Sequence, residues 1–258
     1  MDYQTITLEI TNRTAVLTLN RPEKYNALTQ QMRAEIAYAV PEAAANARVL
    51  VITGAGAAFC SGQDLGDGGS AATMDLERGL RDEYTPMIRA ISECKIPTIC
   101  AVNGPAAGAG ANLALAADVV IAKDSAYFMQ AFSKIGLIPD AGGTYVMPRT
   151  MGMAKAMGAA LFADKISARQ ADEWGLIWEA VADDVFEETW KARAAHLADG
   201  PTQAYQHIKH AIRDSWNKDW DGQMAQEAKL QGRCGKTRDF QEGVVAFLDK
   251  RPAKYEGR

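Results

Sequence analysis

The feature that most constrains this chain occurs twice: a short, wholly apolar run, rich in β-branched residues, that empties into a segment of small residues. The first is Val49-Leu50-Val51-Ile52-Thr53-Gly54, which opens into the glycine-rich segment 54–69. The second is Pro97-Thr98-Ile99-Cys100-Ala101-Val102, which opens into Asn103–Gly110. Runs of this length without polar alternation predict strands covered on both faces. The small residues behind them predict tight turns that bring backbone close to something else.

The rest of the chain fits around these two units. Thr5–Ile10 and Thr14–Leu19 alternate apolar and polar residues about Thr11-Asn12-Arg13, which predicts a hairpin closed off by Arg21-Pro22. Thr29 stands where it can cap a helix carrying Met32, Ile36 and Val40 at helical spacing. The charged stretch Asp75–Ser92 reads as a helix with a mobile lead-in at Gly68-Gly69-Ser70. Leu113–Ala117 reads as helix and Val119–Ala122 as strand. After Pro139 the pattern is mostly helical, with turn signals at Gly152, Gly175 and Pro201. Strands alternating with helices over the first two-thirds predict an α/β core. A dinucleotide-binding reading fails, because the glycines at 104, 108 and 110 lack the GxGxxG spacing.

Composition excludes several functions. A formal net charge of -4 over 258 residues argues against a nucleic-acid partner. The four cysteines, Cys60, Cys94, Cys100 and Cys234, form no CxxC pair and read as buried free thiols. His207 and His210 lie three apart on a predicted helix without acidic or thiol partners nearby, which reads as a solvated face rather than a metal site. No basic leader followed by an apolar stretch opens the sequence, and no run of eighteen apolar residues occurs. The expectation is a cytoplasmic enzyme without a membrane segment.

A strand, a small-residue turn and a helix together present free N–H groups, since the first helical amides lack internal partners and sit at the positive end of the dipole. Two such turns, Phe59–Leu65 and Gly104–Asn112, could converge on one oxygen as an oxyanion hole. Close packing of helix on sheet would use the same residues, and spacing leaves both open. Likewise Asp140, in Gly136-Leu137-Ile138-Pro139-Asp140-Ala141-Gly142-Gly143-Thr144, is either a helix N-cap or a carboxylate base in an apolar pocket near Phe132 and Ile138.

These segments, taken in order, resemble the crotonase (enoyl-CoA hydratase/isomerase) superfamily over nearly the whole chain. The landmarks are Leu19-Asn20-Arg21-Pro22, Asn26-Ala27-Leu28, Thr53–Gly56, Phe59-Cys60-Ser61-Gly62-Gln63-Asp64-Leu65, Ala101–Gly104, Gly108-Ala109-Gly110, Gly136–Thr144 and Ala171-x-x-Trp174-Gly175-Leu176. The resemblance implies a crotonase (ClpP-like) spiral of ββα turns over residues 1–200. A C-terminal helical region, 201–258, would join chains into trimers or hexamers. It implies that the N–H groups of Ser61 and Ala109 hold the thioester oxygen. Lys24, Asn26, Ala27, Gln63, Asp64 and Leu65 would lie along the coenzyme A path. Phe247 and Lys250 of a neighbouring subunit would reach the nucleotide end. Coenzyme A is then part of the substrate, and no separate cofactor is expected.

The departures from the family pattern point to the reaction. Where hydratases carry two glutamates that activate water, this chain has Asn112 and Phe132, neither able to transfer a proton near neutral pH. Where they carry glycine it has Asp140, which implies proton shuttling rather than hydration, with Asn112 binding substrate or orienting Asp140. Stretches 100–111, 129–140, 173–178 and 242–251 are most similar to the branch that converts ring-1,2-epoxyphenylacetyl-CoA to oxepin-CoA in phenylacetate breakdown. Alternatives are a Δ3,Δ2-enoyl-CoA isomerase, an enoyl-CoA hydratase, and a non-catalytic CoA-binding protein. The variable stretch Asp67–Met87 is expected to shape the acyl pocket.

Overall fold

The computed structural model describes residues 2–67 and 74–258, so the predicted lead-in Gly68-Gly69-Ser70 lies outside the described residues. Strands β1 (Ile6–Thr11) and β2 (Thr14–Leu19) form the predicted hairpin, one residue later at its start than the alternation indicated. Asn12 and Arg13 both take positive φ (49° and 65°), the turn geometry whose twist matches that of the flanking strands. Helix α1 (Gln30–Asn46) starts where Thr29 accepts the Met32 N–H at 3.1 Å, and Met32, Ile36 and Val40 are buried. After β3 (Val49–Gly54) comes a continuous helical stretch: α2 (Leu76–Gly79), a π-turn (Leu80–Tyr84) and α3 (Thr85–Ser92).

Strand β4 (Thr98–Val102) leads through β5 (Ala106–Ala107) into helix α4 (Ala109–Leu115). That helix begins four residues before the predicted one, because the small residues that read as a turn form its first turn. Then follow β6 (Val119–Lys123), β7 (Tyr127–Met129) and a 3-10 turn (Ala131–Ile135). Helices α5 (Gly143–Thr150) and α6 (Gly152–Phe162) precede β8 (Ile166–Ser167), α7 (Ala168–Glu173) and β9 (Glu179–Val181). The chain ends in α8 (Phe186–Asp199), α9 (Thr202–Asp214), α10 (Trp220–Cys234) and α11 (Arg238–Leu248).

The main sheet has the order β1-β2-β3-β4-β6-β9 and is parallel except for the opening hairpin. A smaller sheet, β5-β7-β8, lies beside it. The two-sided burial read from the apolar runs is real. Leu50, Ile52, Cys100 and Val102 face a core with Met32, Ile36, Met87 and Ile91, while Val49, Val51, Ile99 and Ala101 face Phe186, Ala194 and Ala198 of α8. Each ββα turn thus delivers its loop to the same edge, and the two glycine-rich turns leave β3 and β4, adjacent parallel strands.

Cys60, Cys94 and Cys100 are buried free thiols, and Cys234 is half-buried. His207 and His210 lie on α9, and no group of three potential metal ligands occurs among the described residues. No helix among the described residues is long and apolar enough to cross a membrane. Helices α9 to α11 leave Ile212, Trp220, Phe247 and Leu248 exposed.

Candidate active site

The two turns meet. Ala107 donates its N–H to Cys60 O at 2.9 Å, and Cys60 and Ala106 form a parallel bridge between the two loops. The approach tolerates no side chain. A methyl group at position 110 would fall 2.4 Å from Cys60 O, and one at position 62 would fall 2.9 Å from Ala107 O and 3.5 Å from Ala109 N. Gly62 also has φ +96°, a region that L side chains rarely adopt. Both readings left open by spacing therefore apply: small residues permit close packing, and that packing brings two N–H-bearing turns together. The Cys60 thiol donates to Asn26 O at 3.1 Å and burial pushes its pKa up to about 12, so it stays neutral.

Which amides are free corrects one expectation. The Ser61 N–H donates to Tyr25 O at 3.0 Å and is already committed. The amide of Gln63 points elsewhere: its neighbours pair with Leu28, through Leu28 N–H to Gly62 O at 2.8 Å and Asp64 N–H to Leu28 O at 3.1 Å. Among the described residues no backbone oxygen accepts from Gln63 N–H or Ala109 N–H. Ala109 is the first residue of α4, where an amide has no helical partner and carries the positive end of the dipole. The pair of amides open to a ligand is Gln63 with Ala109, not Ser61 with Ala109. Sequence position alone could not tell which amide of the turn a strand-like bridge consumes.

Asp140 faces a cavity of about 620 Å³ lined among others by Gly62, Gln63, Ala109, Phe132 and Leu137. It also lines a second cavity of about 570 Å³, which shares Gln63, Met74, Leu76 and Leu137 with the first. The N-cap reading is overturned: α5 is capped at Gly142 with no side-chain bond, and Asp140 Oδ1 is buried with no hydrogen-bond partner. Burial raises the Asp140 carboxyl from 3.8 to about 6. The apolar surroundings expected from sequence come from Phe132 and Leu137 in the first cavity, and Ile138, although 77% exposed, lines the second together with Asp140. Asp140 is the only acid among the described residues lining the first cavity.

Asn112 does not face the cavity. It is 1% exposed, and its amide donates to the Asp140 main-chain oxygen at 2.8 Å and to Gln130 Oε1 at 3.2 Å, while Gln130 Nε2 donates to Asn112 Oδ1 at 2.9 Å. Both polar atoms of its side chain are thus engaged within the protein, one of them by the main chain of Asp140. Gln130, present in the sequence motif, gave no signal of this pairing. Phe132 forms a wall of the first cavity and lies 3.9 Å from where a side chain at Gly108 would begin.

The expected coenzyme A path divides in two. Lys24 and Leu65 are exposed, and Leu65 and Gln63 line the first cavity. Asn26 is fully buried: its amide donates to Ala55 O and Ala58 O, both at 2.9 Å, and its Oδ1 accepts the Arg21 N–H at 2.9 Å. The Asn26 side chain is thus a staple between loops. Ala27 is buried, and its carbonyl accepts from Arg21, which also pairs with Asp64 at 2.9 Å. That guanidinium and the Gly66 N–H hold the Asp64 carboxyl below its usual range. Phe247 lines a groove of about 970 Å³ among α9, α10 and α11, and neither it nor Lys250 lines the two cavities that Asp140 lines. In the stretch Asp67–Met87, the described residues that line the second cavity include Asp67, Met74, Asp75, Leu76, Arg78, Glu83 and Tyr84. There Arg33 pairs with Glu83 and stacks over the Tyr84 ring at 4.6 Å.

Comparison with known proteins places this architecture. Residues 9–258 match the family model described as enoyl-CoA hydratase/isomerase. A Rhodobacter capsulatus protein described as a probable enoyl-CoA hydratase is 57% identical over 258 residues, all of both chains. The 1,2-epoxyphenylacetyl-CoA isomerase of Escherichia coli K12 is 45% identical over 247 residues, 94% of each chain. The solved enoyl-CoA hydratase of Bacillus anthracis superposes with a TM-score of 0.91 at 31% identity, covering 99% of this chain and 100% of its own. The expected spiral fold is therefore present, and the chain belongs to the enoyl-CoA hydratase/isomerase (crotonase) family of enzymes.

Proposed function

We propose that this enzyme is an acyl-CoA thioester isomerase in which Asp140 relocates a proton beside an enolate held by the N–H groups of Gln63 and Ala109. The observation that carries the reading is the unpartnered carboxylate: Asp140 Oδ1 is buried without a hydrogen-bond partner, whereas the acids that share the second cavity with it, Asp67, Asp75 and Glu83, accept from Gln30 N–H, Arg78 N–H and the Arg33 guanidinium. A 1,3-proton shift needs one base and a place for negative charge. The base takes a proton from the carbon next to the thioester, the two amides stabilise the enolate oxygen, and the same group returns the proton to another carbon. A raised carboxyl pKa brings the conjugate acid and base closer in energy to the task at neutral pH.

The substrate we assign is ring-1,2-epoxyphenylacetyl-CoA, converted to oxepin-CoA. The 45% identical relative named for that isomerisation supports it. Simple double-bond shift in a 3-enoyl-CoA uses the same groups. The second cavity, beyond Asp140, would take the acyl group and the first the thioester arm. Coenzyme A is then a substrate part. Trimers or hexamers would let Phe247 and Lys250 of a neighbour reach its nucleotide, which the mass in solution and a K250A effect on KM would test.

A hydratase is the second reading, favoured by the description of the 57% identical relative. The deciding experiment compares turnover of the ring-epoxide thioester, 3-enoyl-CoA and crotonyl-CoA by the wild type and D140N. Ring-epoxide turnover lost in D140N supports the assignment. No turnover of that substrate, or crotonyl-CoA hydration that survives D140N, overturns it.

A further inference from the structure

Nothing grips the Asp140 carboxylate from the protein side among the described residues, so its placement depends on its main chain. That main chain is not held by local preference. Ala141 and Gly142 follow with φ +48° and +86°, a turn that a free chain would leave readily. Two donors hold the Asp140 carbonyl: the Gly143 N–H at 2.9 Å, within the turn itself, and the Asn112 amide at 2.8 Å, from another element. The orientation of the Asn112 amide is set by chemistry, because a carbonyl oxygen accepts and only the NH2 end can face it. Gln130 then completes the pattern with two reciprocal amide bonds, both side chains being at most 2% exposed. Packing closes the joint, since a methyl group on Gly143 would fall 2.4 Å from Asn112 Nδ2.

Asn112 sits three residues after Ala109 in α4, a rise of about 4.5 Å along one rigid helix. The free amide and the clasp on the base's backbone thus belong to a single element. We propose that Asn112, locked by Gln130, is a positioning residue that fixes Asp140 relative to the oxyanion amide of Ala109. The inference rests on the assignment of Asp140 as the proton carrier. It concerns the distance between base and oxyanion, which neither the acid nor the amides set by themselves.

The test uses the full-length enzyme with Asn112→Ala, Gln130→Met and Asp140→Asn, read by exchange of substrate α-protons in deuterated water and by the pH profile of turnover. Misplacing a base by about 1 Å costs up to ~100-fold in rate. Asn112→Ala is expected to lower kcat about tenfold to a hundredfold with KM within about twofold, and Gln130→Met less, in the same sense. The acid limb should also move toward lower pH, as the released carboxylate gains solvent. Loss of folded protein alone would scale kcat by the active fraction and leave that limb in place, which would overturn the inference. Gln130→Met, which keeps the Asn112–Asp140 bond, reads the same effect if Asn112→Ala folds poorly. Unchanged kcat and pH profile in both variants, with exchange abolished in Asp140→Asn, would overturn the positioning role and leave the base assignment standing. Exchange surviving in Asp140→Asn would overturn the assignment itself.

Discussion

Replacing Asp140 by asparagine should make this protein more stable at pH 8 while abolishing the isomerase activity proposed for it. The carboxyl titrates near 6 in the folded chain against 3.8 for an unburied aspartate, and burial is the sole cause. A carboxyl whose folded pKa is raised is bound to its proton more tightly in the folded state. Its favourable contribution is complete below pH 4 and is lost as pH rises through 6, so at pH 8 the ionised group opposes folding. About two pKa units correspond to about 3 kcal/mol, and partial access to solvent reduces this to about 2 kcal/mol. An asparagine amide without partners returns some of that penalty, leaving a net gain of about 1 kcal/mol. For a chain of this length 1 kcal/mol shifts Tm by about 2–4 °C. Thermal unfolding of wild type and D140N, compared at pH 8 and pH 4, measures it. The gain should appear at pH 8 and vanish at pH 4. A D140N protein less stable at pH 8, or a difference independent of pH, would refute the claim that Asp140 is held desolvated and unpaired.

Three further outcomes follow from the same geometry. The pH profile of kcat/KM should show an acid limb near pH 6, with activity rising as Asp140 ionises; a limb near 4 would mean the carboxylate is solvated in the working enzyme. Ala109→Pro removes one open N–H at the first helical position, where proline is tolerated, and should cost about 100-fold to 1,000-fold in kcat with native circular dichroism. Gly110→Ala, which sets a methyl group 2.4 Å from Cys60 O, should destabilise the fold by about 1–3 kcal/mol in denaturant titration; a neutral result would place the two turns further apart than described.

Much of the scaffold is written in local pattern. The alternation around Asn12, the Thr29 cap and the unbroken apolar runs of β3 and β4 each act over a few residues, and each formed the element it predicted. The presence of an acid at 140 and the absence of one at 112 and 132 is likewise fixed by the sequence alone, and the expectation against a two-glutamate hydration mechanism rests on it through the family resemblance. What a donor or acceptor does depends instead on which distant group it meets. Tyr25, 36 residues before Ser61, consumes the amide that the motif seemed to offer and leaves Gln63 open. Asn26 and Asp64 became staples because Arg21, Ala55 and Ala58 reached them first. Asp140 passed from possible helix cap to desolvated acid because α5 begins at Gly143 with Gly142 as its cap, and Asn112 turned inward because Gln130 and the Asp140 carbonyl lie there. Local periodicity determines strands and helices, since those bonds close within a few residues. The chemistry of the site was decided by tertiary structure, because a buried hydrogen-bonding group is defined by partners that only the folded chain brings within about 3 Å.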